Sequence, residues 1–138
     1  MAGYSGTALI KKLGVKAKMR LLFVDAPPSF VETLGPLPDD IKFISGTDSQ
    51  VDVVLLFVER AAALDGQFMP LAARLVPNGM LWVAWPKKAA KVPTDLTEEI
   101  VRRTGLNAGL VDVKVCAIDE KWSGLKFVIR LQDRPAPP

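Results

Sequence analysis

The sequence predicts a single α/β domain with a mostly parallel β-sheet whose last strand is antiparallel. Short apolar segments alternate with segments of helical spacing, which is the pattern of parallel strands joined by crossover helices. The most apolar segment, Val51–Val58, is rich in β-branched residues and apolar on both faces, as in a strand covered by helices on both sides. Val111–Ile118 and Leu125–Leu131 are too close together for a crossover helix, which predicts a closing hairpin.

Length and composition limit the class of protein. The 138 residues suffice for one domain with a sizeable core, and 49% hydrophobic with 24% charged residues is the balance of a soluble globular protein. A single cysteine, Cys116, excludes an internal disulfide framework and fits a reducing compartment. The chain has no histidine, which excludes Ser-His-Asp and Cys-His catalysis and leaves too few ligands for a zinc site. We therefore expect no metal.

The apolar runs and the N-terminus indicate the cellular location. The longest apolar runs, Val53–Val58 and Met80–Trp85, are far too short to span a bilayer. The first residues contain no apolar stretch long enough for a signal peptide, so a cytoplasmic location is expected. We predict one domain over residues 1–138, with an N-terminal helix and linker at 1–19 and a flexible tail at 133–138.

The first part of the chain predicts two short helices and two strands, each ended by proline, glycine or a polar residue. These elements are a helix over Thr7–Leu13, a strand over Arg20–Val24, a helical turn over Ser29–Leu34 and a strand over Ile41–Ile44. Gly14 suits the position after the first helix. The first strand is a compact apolar run that is halted by Asp25 and two prolines.

The second part predicts a longer alternation of the same kind. Its elements are a strand over Val51–Val58, helices over Gly66–Val76 and from Asp95 to about Thr104, and strands over Met80–Trp85, Val111–Ile118 and Leu125–Leu131. The first of these helices follows from apolar spacing and requires Pro70 to lie in its first turn. Asp95–Glu98 matches a capping box, and Gly105 is expected to end that second helix.

The order of elements resembles a known fold. A strand, a helix, Pro77-Asn78-Gly79, an apolar strand, a helix and a hairpin resemble the second half of the Rossmann-like class I methyltransferase fold. That resemblance implies a six- or seven-stranded sheet whose antiparallel last strand is inserted beside its predecessors. Leu81–Lys88 and Lys121–Leu125 are similar to an uncharacterised bacterial family of domains of unknown function. This second resemblance covers Gly3–Leu131 and implies no particular activity.

The turn after the first strand argues against a methyltransferase cofactor. In the methyltransferase fold this turn is glycine-rich, so that the backbone approaches the cofactor closely. Here Asp25–Phe30 contains no glycine, and two prolines lack the N–H group. The second strand, where the fold normally places an acid for the ribose hydroxyls, is followed by Ser45, and the nearest carboxylate is Asp48. We expect no binding of S-adenosylmethionine and no other cofactor.

Two loops and one strand end supply the candidate ligand-binding residues, which are Asp25, Lys87, Lys88, Lys121, Trp122 and Ser123. Open α/β sheets bind ligands outside the carboxyl ends of their strands, and both loops are expected at that edge. They would offer cations, a flat apolar face and a hydroxyl to one crevice, in which Asp25 could accept a hydrogen bond. The alternative is that the lysines form a solvated loop and Trp122 packs against the sheet edge.

Three functions remain open at this point. The favoured one is a degenerate methyltransferase-like binding module for a small anionic ligand or a protein partner, since histidine and the glycine turn are absent. The second is an atypical S-adenosylmethionine-dependent or other transferase that uses Asp25, Lys87 or Lys121 in acid–base chemistry. The third is a weak nucleic-acid binder that rests on the basic stretch Lys11–Arg20. Without a reader motif or many aromatic residues, nucleic acid is not the expected partner, and neither is a membrane.

Overall fold

Helices and strands alternate along the chain. The computed structural model describes residues 8–45 and 49–135, which form six strands and four α-helices. The strands are β1 (Arg20–Val24), β2 (Lys42–Phe43), β3 (Val51–Phe57), β4 (Leu75–Pro86), β5 (Leu110–Ala117) and β6 (Trp122–Ile129). The α-helices are α1 (Leu9–Lys12), α2 (Phe30–Leu34), α3 (Ala61–Ala72) and α4 (Glu98–Asn107). Thr7, where the first helix was predicted to begin, and Asp48 lie outside the described residues. Over the described ranges, no helix is long and apolar enough to cross a membrane.

The sheet has the predicted topology. Its strand order is β2-β1-β3-β4-β6-β5, and neighbouring strands from β2 to β4 are parallel. Strand β6 is antiparallel to both β4 and β5, between which it lies. The prediction of a mixed sheet whose last strand is antiparallel and inserted beside its predecessors is therefore confirmed.

Helices cover both sides of the sheet, because side chains alternate along each strand. On the α1/α2 side, buried Trp82 packs with Leu13 and Phe30, and the Trp82 indole Nε1 donates a hydrogen bond to the Leu13 carbonyl at 3.0 Å. On the α3/α4 side, Trp85 belongs to a cluster with Phe68 and other buried residues. The two tryptophans thus lie on opposite sides of β4, as strict alternation predicts.

Helix α3 begins earlier than its apolar spacing predicted. It spans Ala61–Ala72, so that Pro70 lies in the last turn and not in the first. The early start is stabilised from outside the helix, because the Asp95 carboxylate accepts a hydrogen bond from the Ala61 N–H at 2.8 Å. Leu75 is not helical but pairs with Val51, and Pro77-Asn78-Gly79 forms an irregularity inside β4.

Helix α4 differs from its prediction at both ends. Its N-cap is Thr97, whose hydroxyl accepts a hydrogen bond from the Ile100 N–H at 3.2 Å, whereas Asp95 serves α3. Gly105 does not end the helix, which continues to Asn107. A Cβ at Gly105 would overlap the ring of Phe127 in β6. This glycine therefore permits close packing of α4 on the sheet.

Candidate functional site

A crevice lies at the carboxyl edge of the sheet, where the strand order reverses. The neighbours of β1 are β2 on one side and β3 on the other, and this point is where open α/β sheets bind ligands. The crevice has a volume of about 440 Å³. It is lined by Asp25–Pro28 after β1, Phe57–Arg60 at the end of β3, two residues of α3, and Lys121 with Trp122.

The floor of this crevice is aromatic. Phe57 makes edge-to-face contacts with Phe30 and with Trp122, at ring-centroid distances of 4.9 and 5.0 Å. Trp122 is only 5% exposed, so its ring packs into the core and offers little surface to a ligand. The alternative interpretation of Trp122, packing against the sheet, describes its position best.

A second crevice of about 380 Å³ lies beside the first. It is lined by Lys87, Lys88 and Ser123, together with the segment Thr94–Glu98 at the start of α4. The two crevices share a border, because the Lys87 N–H donates a hydrogen bond to the Lys121 carbonyl at 2.8 Å.

The six candidate residues thus lie at one edge of the sheet but in two crevices, not in the single crevice expected from the sequence. The reason is that β6 begins at Trp122, so Trp122 and Ser123 are strand residues opposite Pro86 and Trp85. Consecutive strand residues point to opposite sides of a sheet. Trp122 therefore faces the α1/α2 side, while Ser123 lies on the side of Trp85.

Three carboxylates near the candidate lysines are engaged elsewhere, whereas those of Asp25 and Glu59 line the first crevice with Lys121. Asp119 accepts hydrogen bonds from the backbone N–H groups of Lys121 and Trp122, both at 2.8 Å. Asp95 caps α3, and Glu98 forms an ion pair with Arg102 at 2.8 Å.

The candidate lysines themselves have no acidic partner. Within residues 8–45 and 49–135, no carboxylate lies within ion-pair distance of Lys87, Lys88 or Lys121. The Lys121 ammonium lies 5.1 Å from the centre of the Trp122 ring, while Lys87 is half-buried and Lys88 exposed. None of these three lysines is therefore held in an ion pair with a described carboxylate, although Asp25 and Glu59 line the same crevice as Lys121.

Two further residues line the first crevice, and only one of them could be placed there from the sequence. Arg60 is the third residue after β3 and could be placed at this edge from strand direction alone. Gln67 was missed, because the predicted helix began only at Gly66 and the sequence therefore did not show which helix face Gln67 occupies. With the helix starting at Ala61, Ala63 and Gln67 are four residues apart and share one helix face.

The described residues do not fit S-adenosylmethionine. All four residues of the Asp25–Pro28 turn carry side chains, and Pro27 and Pro28 offer no N–H donor to a carboxylate. Asp25 adopts a left-handed conformation with φ +56°, and its side chain is exposed. No carboxylate directly follows β2, where Ile44 and Ser45 stand. Across the described ranges, no cluster of three or more Cys, Asp or Glu residues is arranged to hold a metal ion.

Solved structures of methyltransferases share this fold. Similar structures include precorrin-6y C5,15-methyltransferase from Geobacter metallireducens, with a TM-score of 0.58 and 8% identity over 88% of this chain and 86% of that one. Magnesium protoporphyrin IX methyltransferase from Synechocystis with bound S-adenosylmethionine has a TM-score of 0.60 and 10% identity, over 88% and 74% of the two chains. Ribosomal protein L11 methylase from Lactobacillus delbrueckii has a TM-score of 0.55 and 12% identity, over 88% and 75%.

The similarity is one of fold. No protein-family model and no curated protein sequence matches the chain. At identities of 8–12%, the shared architecture establishes the Rossmann-like fold of class I S-adenosylmethionine-dependent methyltransferases and does not by itself transfer an activity.

Proposed function

We propose that this chain is a non-catalytic binding module with the methyltransferase fold, and that it takes a small anionic ligand at the carboxyl edge of its sheet. The observation that carries the proposal is the set of lysines at the border of the two crevices. Lys87 and Lys121 are joined through their backbones at 2.8 Å, and neither has a carboxylate partner among the described residues. Lys121 lines the first crevice and Lys87 the second, so each crevice offers an anion a lysine that is not already held in an ion pair.

The ligand would carry a phosphate or carboxylate group. Lysine recognises such groups as a compact point charge on a flexible stem, which suits a rim that is partly open to solvent. The charged group would provide most of the binding, because Phe57 and Trp122 line the first crevice but are only 3% and 5% exposed. Arg60 stands at the entrance of that crevice as a further cation.

The alternative is an atypical S-adenosylmethionine-dependent or other transferase. It is favoured by the fold, since one of the similar methyltransferases holds S-adenosylmethionine. The side chains at the carboxyl edge of the sheet argue against this alternative. Of its three acid–base candidates, Asp25 and Lys121 are exposed and only Lys87 is half-buried, whereas general acid–base groups are usually buried or held by a specific neighbour. The Asp25–Pro28 turn also lacks the donors and the close approach that the cofactor requires.

A thermal-shift titration with inorganic phosphate, citrate and nucleoside monophosphates tests the proposal. We expect at least one of these anions to raise the melting temperature, because a ligand at about 100 times its Kd stabilises the folded state by about 2.7 kcal/mol. The double substitution Lys87→Ala and Lys121→Ala should abolish that increase and leave the fold intact.

The matched control removes two exposed lysines away from the crevices, with Lys16→Ala and Lys42→Ala. It makes the same change in net charge and should keep the ligand-induced shift. Equal loss of the shift in both double variants would show that the anions act through general charge screening. That result would contradict a site at the carboxyl edge.

A further inference from the structure

Three lysines from three different elements meet on the α1/α2 side of the sheet, beyond the end of α1. Lys12 ends α1, Lys114 lies in β5 and Lys126 lies in β6. The Lys114 ammonium donates a hydrogen bond to the Lys12 carbonyl at 3.3 Å, which fixes α1 against the outer strands. Cys116 lies on the same side, opposite Gly124. We call these four residues the basic face.

A register shift in β5 creates the basic face. The pairing of β5 with β6 is irregular between Asp112 and Lys114, and after it Lys114 stands directly opposite Lys126. Without the shift, Lys114 would oppose Leu125 and point to the other side of the sheet. Instead, Lys126 lies between Lys114 and Trp82, with its ammonium 5.8 Å from the centre of the Trp82 ring.

Lys114 and Lys126 bring two like charges together on the basic face. Like charges directly opposite each other on neighbouring strands destabilise a sheet. Burial and the nearby Lys114 ammonium both lower the pKa of Lys126. Among the residues that the structure describes, neither Lys114 nor Lys126 has a carboxylate within ion-pair distance, and Asp112 pairs with Arg102 of α4 at 2.8 Å.

We infer that the basic face binds the phosphate backbone of a nucleic acid without regard to sequence. Lys114 is exposed and Lys12 and Lys126 are half-buried, so all three cations are accessible from the surface. Small ligands need a concave site that surrounds them, whereas a polyanion gains affinity from several cations along an open surface through counterion release.

This binding mode needs neither a reader motif nor stacking aromatic residues, whose absence made nucleic acid unexpected from the sequence. Interactions with phosphate position a nucleic acid but carry no sequence information. The face is separate from the lysines of the two crevices, so this inference does not depend on the proposed function.

Fluorescence anisotropy of a labelled single-stranded oligonucleotide of mixed sequence, over a series of salt concentrations, tests the inference. We expect binding that weakens as salt is added, with log Kd rising linearly with the logarithm of the salt concentration. The double substitution Lys114→Gln and Lys126→Gln should weaken binding and reduce the slope by about 0.7 for each phosphate that is no longer neutralised. The double variant Lys114→Arg with Lys126→Arg should keep the original affinity and the original salt dependence. Lys42→Gln with Lys91→Gln, which removes two exposed lysines elsewhere, should keep both as well.

Cys116, the single cysteine of the chain, reports where the oligonucleotide binds. Its thiol is half-buried and within electrostatic reach of Lys12, Lys114 and Lys126. A saturating oligonucleotide should slow its alkylation by iodoacetamide, an uncharged reagent, because a bound polyanion both covers the thiol and offsets the lysines that favour its thiolate. If Lys126→Gln prevents folding, Lys114→Gln alone, at an exposed position, supplies the same comparison.

Three results would overturn the inference. The first is unchanged oligonucleotide affinity in the Lys114→Gln variants, and the second is unchanged alkylation of Cys116 at saturation. The third is protection of Cys116 by polyglutamate but not by the oligonucleotide, which would assign the face to an acidic protein segment.

Discussion

Replacing Gly105 by alanine is expected to lower the free energy of unfolding by at least about 1–3 kcal/mol, as overpacking of a core does. The added methyl group would overlap the ring of Phe127, which is itself buried and packs edge-to-face on Phe68 at 5.2 Å. Relief would require α4 to move away from β6, or the Phe127 ring to leave its place against Phe68. Urea denaturation of the variant, at constant m-value, measures the effect.

Gly66 provides the matched control. It also lies inside a helix, α3, but a Cβ there would meet no atom within 4 Å. Gly66→Ala should therefore stabilise the protein by about 0.5–1 kcal/mol, because alanine loses less conformational freedom in a helix than glycine does. Opposite signs at the two glycines are expected. Stabilisation by both substitutions would mean that α4 does not pack on Phe127 in the way described.

Replacing Trp82 by phenylalanine is expected to cost about 2–3 kcal/mol. The Trp82 side chain is fully buried, so the smaller ring leaves unfilled volume. The substitution also removes the indole donor and leaves the Leu13 carbonyl without its bond of 3.0 Å, at the end of α1. This helix end carries Lys12 and borders the basic face.

Trp85→Phe is the control for Trp82→Phe. Trp85 is 5% exposed on the opposite side of β4, and in the described part of the chain its indole makes no hydrogen bond that the substitution would remove. We expect a cost smaller by about 1 kcal/mol, the typical contribution of one buried hydrogen bond. Equal costs, measured by chemical denaturation, would indicate that the Trp82–Leu13 bond contributes nothing to stability.

The presence and order of the strands were predictable because their signals are local, although β4 and β6 begin earlier than predicted. Arg20–Val24 is bounded by Asp25 and prolines, and it forms β1 with the predicted ends. The start of α3 was not predictable in the same way, since the Asp95 carboxylate that caps Ala61 comes from 34 residues further along the chain. The prediction for Gly105 was wrong for a related reason: the Phe127 ring that requires a glycine there belongs to another element.

The candidate site was predictable only as far as strand direction determines it. Because parallel strands end at one edge, the loops carrying Lys87 and Lys121 could be placed there together. Their division between two crevices was not predictable, because Trp122 and Ser123 were predicted to lie in the hairpin loop and instead begin β6. The basic face depends on the register shift before Lys114, and nothing in the local sequence signals that irregularity.

The central proposal is that this chain has the methyltransferase fold but does not carry out methyl transfer. Its most direct test is isothermal titration calorimetry of the chain with S-adenosylmethionine. Magnesium protoporphyrin IX methyltransferase from Synechocystis, whose structure holds this molecule, is the positive control. Because the Asp25–Pro28 turn offers no glycine and two residues without an N–H group, we expect heats no larger than those of dilution. A Kd in the low micromolar range would contradict this expectation and establish the transferase alternative in its place.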